Sequence, residues 1–100
     1  MISDELLAAA KNYLDITYKD EAVDQKLQGI LLRGIAYLEN RAGMKLPFEQ
    51  ETQARALLFD YAMYVRAGAL AEFEQAYRAE LTALRLICIG GQADENAANI

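Results

Sequence analysis

The stretch from Gln53 to Leu70, QARALLFDYAMYVRAGAL, constrains this chain more than any other. On a helix of 3.6 residues per turn, Ala54, Leu57, Leu58, Tyr61, Val65 and Gly68 fall along one face. Ala56, Phe59, Met63, Ala67 and Leu70 fall along the opposite face. Charge is confined to narrow flanks, with Arg55 and Arg66 on one side and Asp60 on the other. A surface helix needs one apolar stripe, so two opposed stripes predict a helix covered on both sides. Other helices of the chain cover one face. The second is covered by another part of the chain or by another copy of the protein.

The rest of the chain reads as helices around this one. One hundred residues fit a single domain, and a hydrophobic share of 54% without long apolar runs suits a helical one. The spacing predicts a first helix over Ile2 to Leu14, capped by Ser3, with Asp4 and Glu5 matching the positive end of its dipole. The connector DITYKD follows, briefly extended at its β-branched pair. Asp20 is placed to cap a second helix from Glu21 to about Ala42, with the stripe Val23, Leu27, Ile30, Leu31, Gly34 and Leu38. Gly34 lies on that stripe, where a missing side chain permits close helix approach, and Gly43 suits a C-terminal cap. Leu32 points away from the stripe and is a candidate for contact with another molecule.

After a connector containing Pro47, the central helix is expected from about Glu49, bent or ended by Gly68. A last helix, from about Ala71 to Ile87, carries the stripe Phe73, Tyr77, Leu81, Leu84 and Cys88. Residues 1–89 form the expected domain, and residues 90–100, from Gly90-Gly91 onward, a flexible tail with little to bury. The fold class is all-α: a small bundle of about four helices, one short and N-terminal, three longer.

Composition removes most chemistry. The chain has no histidine, one serine and one cysteine, so Ser-His and Cys-His nucleophiles and the usual zinc sites are not expected. Neither GxxxxGK[ST] nor GxGxxG occurs. Asp20, Glu21 and Asp24 cluster at a helix start, and Glu72, Glu74 and Glu80 lie on the last helix; they read as solvated faces, not as an inward carboxylate site. No catalytic residue, metal or cofactor is expected. The opening MISDELLAAAK is acidic where a signal peptide would be basic, no stretch approaches the ~20 apolar residues of a membrane span, and the lone Cys88 fits a reducing compartment. Synthesis in the cytoplasm is the expectation. The net charge of −5, with no basic run, argues against sequence-independent grip on nucleic acid. Tyr61, Tyr64 and Tyr77 read first as core residues. Tyr64 with Arg66 also suits an interface, where both residue types are enriched.

Four segments carry a resemblance. The first helix ends in YLDIT, an acidic connector YKDEAVD follows, and the second helix ends GIAYLENRAG; after the Pro-containing link comes QARALLFDYAMYVRAGALAEFEQAYRAELTAL. Over about residues 3 to 87 this resembles the small head–tail connector proteins of long-tailed bacteriophages, also called adaptor or head-completion proteins. Their pattern is an LRID-like turn followed by acids, then AAxxYIExxTG. This chain departs from it in the glycines of the second helix and in a reduced segment, MKLPF, after the TG-like turn.

The resemblance implies a helical subunit that assembles as a ring on the portal protein at the capsid vertex. Such a ring extends the DNA channel and offers a docking surface to the next connector, stopper or tail-completion protein. DNA would pass only as cargo, no membrane is involved, and the site of action is the virion. A ring needs two different patches per subunit. The candidates are Leu32, Phe59, Met63 and Leu70, with Tyr64 and Arg66 beside them. The alternative is a small cytoplasmic regulatory or adaptor bundle that binds one partner helix in a groove.

Overall fold

Each helix begins and ends where local chemistry can satisfy its unpaired backbone groups. The computed structural model describes residues 2–50 and 52–84, which form an all-α bundle. Helix α1 (Asp4–Tyr13) is capped by Ser3, whose Oγ accepts from Leu6 N at 3.1 Å. It closes in a Schellman turn, in which Ile16 N donates to Lys11 O, Asp15 N donates to Asn12 O, and Asp15 takes φ 59°. Ile16, expected in an extended connector, is instead the buried anchor of that turn.

Helix α2 (Glu21–Ala42) has the expected bounds, with Asp20 Oδ1 accepting from Ala22 N and Val23 N. It ends on Gly43 at φ 76°, a conformation that favours glycine. Helix α3 (Gln53–Arg66) starts four residues later than expected, because Thr52 takes the cap. The Thr52 hydroxyl accepts from Arg55 N and donates to the Pro47 carbonyl, so residues 47–50 remain a turn, with Phe48 buried beneath it. Gly68, at φ 70°, ends α3 in a second Schellman turn: Ala69 N donates to Tyr64 O, and Gly68 N to Val65 O.

The last expected helix is divided. Helix α4 (Leu70–Ala76) stops at Tyr77, and residues 78–84 are helical again. The hydrogen bonds Tyr77 N to Phe73 O and Leu81 N to Tyr77 O cross the interruption. The stripe Phe73, Tyr77, Leu81, Leu84 therefore still faces inward; Cys88 and the expected tail lie outside the described residues.

Helices α2 and α3 form the most extensive pair and run antiparallel, since Gly34 meets Leu58 and Tyr61 while Val23 and Val65 line one groove. A Cβ on Gly34 would stand 2.7 Å from both Leu58 Cδ1 and Tyr61 Cδ1, so the expected close approach is real. Phe73 is completely buried, with Tyr37, Tyr61, Tyr64 and Tyr77 packed round it at centroid distances of 4.7–6.4 Å. Glu74 ties α4 to α2 by accepting from Tyr37 Oη and Arg41 Nη2, each at 3.0 Å.

The second stripe of the central helix is covered only in part, and by the chain itself. Phe59 is 7% exposed and packs on the Tyr13 ring of α1 at 5.6 Å, which corrects the expectation that it points outward. Arg55, expected on a charged flank, is buried as well. The sequence pattern of α3 cannot reveal where α1 will lie, and α1 settles on this side. Met63 and Leu70 remain exposed.

Candidate partner-binding surfaces

The long apolar side chains that the bundle leaves in water are the simplest candidates. Leu32, Met63 and Leu70 are 43%, 42% and 37% exposed, so the expected contact residues on α2, α3 and α4 are available. Tyr64 is half-buried, its ring 5.7 Å from those of both Phe73 and Tyr77. Phe59 belongs to the core.

Arg66 is exposed and enters a constellation not expected from the sequence. Lys26 and Arg33, two turns apart on α2, share with Arg66 the rim of a groove of about 290 Å³ floored by Val23, Leu27, Ile30 and Val65. The ion pairs among the described residues engage Lys11 with Asp24 and Arg41 with Glu74, so none of the three exposed rim cations has an acid partner among them. Lys11 Nζ lies 2.8 Å from Asp24 Oδ1, in an ionic contact outside hydrogen-bond geometry. The seven-residue spacing of Lys26 and Arg33 was visible in the sequence. The third cation is supplied only by the antiparallel return of α3.

An acidic surface lies at the other end of α3. Ser3 Oγ donates to the Glu49 carboxylate, at 2.8 Å from Oε2, which brings Glu49 beside Asp4 and Glu5 on the first turn of α1. All three acids are exposed. At a rise of 1.5 Å per residue, the span from Thr52 to Arg66 separates this end from the basic groove by about 20 Å.

Between them, Asp60 holds the flanking elements to α3. It accepts from the Tyr13 hydroxyl, and this bond, with desolvation, pushes the Tyr13 pKa up to about 12. Burial, and then the nearby Asp60, push Tyr77 up to about 12 as well. Burial and the bond to Glu74 raise Tyr37. Tyr13 and Tyr37 are thus neutral phenols whose bonds to carboxylates fasten α1 to α3 and α2 to α4. Among the described residues no three potential metal-ligating side chains converge, and no described helix is long and apolar enough to cross a membrane.

No protein-family model, curated protein or solved structure matches the chain.

Proposed function

We propose that this chain is a non-catalytic subunit of the head–tail junction of a long-tailed bacteriophage, assembling as a ring on the portal. The observation that carries the reading is the placement of two unlike surfaces at opposite ends of α3. One is a groove rimmed by Lys26, Arg33 and Arg66; the other is an end bearing Asp4, Glu5 and Glu49. Unlike patches on one subunit give heterologous contacts, which close into rings when the rotation allows. Exposed Leu32, Met63 and Leu70 supply apolar surface for the portal and for the next connector, stopper or tail-completion protein.

Two further features support the reading. The quoted motifs fall at helix termini: YLDIT holds the Schellman turn of α1, DEAVD opens α2, and GIAYLENRAG closes it on Gly43. The net charge of −5 suits a channel that must let DNA pass as cargo without gripping it. The site of action on this reading is the virion, after synthesis in the host cytoplasm.

The groove also favours a second reading, since an apolar floor with a basic rim fits one acidic amphipathic helix of a regulatory partner. A pull-down separates the two. A tagged copy is expressed in cells producing the parent phage's structural proteins, and co-purifying chains are identified by mass spectrometry. Portal or tail-completion proteins in multi-copy complexes are the expected result. A single host protein with no virion component would overturn the connector reading in favour of the regulatory bundle.

A further inference from the structure

Arg55 is the one buried charged residue among those described, at 8% exposure. It lines a cleft of about 400 Å³ between α1 and α3, with Ala9, Asn12 and Tyr13 on one wall and Thr52, Ala56 and Phe59 on the other. The guanidinium carbon lies 5.4 Å over the Phe59 ring, and the buried Nε has no hydrogen-bond partner. Neither ion pair of the described residues includes Arg55. Arginine keeps its proton on burial, and with Nε alone shut off and unpaired, the Nη nitrogens are the donors left for an anion. The rest of the cleft is built to hold it in place, with Phe59 stacked beneath it and Tyr13 fixed by Asp60 against Phe59.

We propose that this cleft is a receptor for a carboxylate, the side chain of an aspartate or glutamate presented by another polypeptide. A planar guanidinium fork matches a carboxylate in two parallel hydrogen bonds. The Asn12 amide at the wall offers a further donor, and Ala9, Ala56 and Phe59 give apolar surface to the stem of the incoming side chain. The proposal stands apart from the connector reading, because it needs only a protein partner with an acidic side chain. A second copy of this chain, with 15 acidic against 10 basic residues, is the source; an unrelated acidic protein is an outcome of the test.

The test is an NMR titration of the full chain with N-acetyl-glutamate methylamide, using its glutamine counterpart as the neutral isostere. Saturable shifts of the Arg55 Nε–H signal and of the Asn12 and Ala56 amides are expected with the glutamate probe only. Arg55→Met keeps the stem and removes the charge; it should abolish the Asn12 and Ala56 shifts while the melting temperature stays equal or rises. Arg55→Lys keeps the charge without the fork and should weaken binding about tenfold. An equal response to the glutamine probe, undiminished shifts in Arg55→Met, or full-strength binding by Arg55→Lys would overturn the proposal. Sedimentation velocity then tests the source. Self-association that Arg55→Met removes and the glutamate probe competes away assigns the carboxylate to a second copy. A protein monomeric at every concentration that still takes the probe assigns it to a different partner.

Discussion

Asp15 sits at φ 59°, a left-handed conformation that ordinary side chains resist and aspartate only tolerates. It is held there because Ile16 is buried just beyond it and because two backbone donors close the end of α1. Asp15→Gly should therefore raise stability by about 0.5–1 kcal/mol, the strain relieved exceeding the entropy glycine adds to the unfolded chain. Urea unfolding measures it, and an unchanged midpoint would show that the aspartate is unstrained. The two helical glycines of α2 predict opposite signs. An added methyl at Gly29 meets nothing within 4 Å, so Gly29→Ala should gain about 0.5–1 kcal/mol of helix propensity. The same methyl at Gly34 meets Leu58 and Tyr61 at 2.7 Å. Gly34→Ala should lose about 1–2 kcal/mol despite the same propensity gain, because the α2–α3 contact must open. Thermal melts of the two variants side by side check both signs.

Helix boundaries were legible in the sequence wherever the cap is a local device: Ser3, Asp20 and Gly43 each act on a backbone group within four residues. Thr52 caps as locally, through Arg55 N, but its second bond, back to the Pro47 carbonyl, which keeps residues 47–50 out of the helix, was not legible. The inward faces of α2 and of residues 70–84 also followed from spacing. The second face of α3 did not, since α1 covers Phe59 and Arg55 and leaves Met63 exposed. The basic groove was likewise illegible, being made of two helices brought together only by packing. Elements held by tyrosines carry a pH signature. The Tyr13 and Tyr77 pKa values stand near 12 in the fold, against an ordinary value of 10.0. Their stabilising effect is complete below about pH 10 and is lost as the pH rises through about 12, since the unfolded chain releases these protons first. Unfolding midpoints should thus fall between pH 10 and 12, and by less in Tyr13→Phe and Tyr77→Phe. A parallel fall in those variants would place the titrating groups elsewhere.

For the whole molecule, the separation of unlike charges along α3 gives a ring-forming contact a definite polarity. If the groove of Lys26, Arg33 and Arg66 receives the end bearing Asp4, Glu5 and Glu49, assembly should weaken with salt, because exposed charges are screened beyond about 10 Å at 0.1 M. Charge reversal then tests the pairing itself. Arg66→Glu should dissociate assemblies while leaving the fold intact, since Arg66 is exposed at the last turn of α3 and has no ion pair among the described residues. Glu5→Arg should do the same from the other surface, with a small loss of α1 stability, about 0.5 kcal/mol, from a cation at the positive end of the helix dipole. The informative sample is the chain carrying both substitutions. A heterologous contact presents the reversed groove to the reversed end, so sedimentation velocity should show assembly restored. An isologous contact built on the groove alone already sets cation against cation, so Arg66→Glu would strengthen it and Glu5→Arg would leave it unchanged. Restoration would also orient each subunit in the ring, with the acidic end of one seated in the groove of the next.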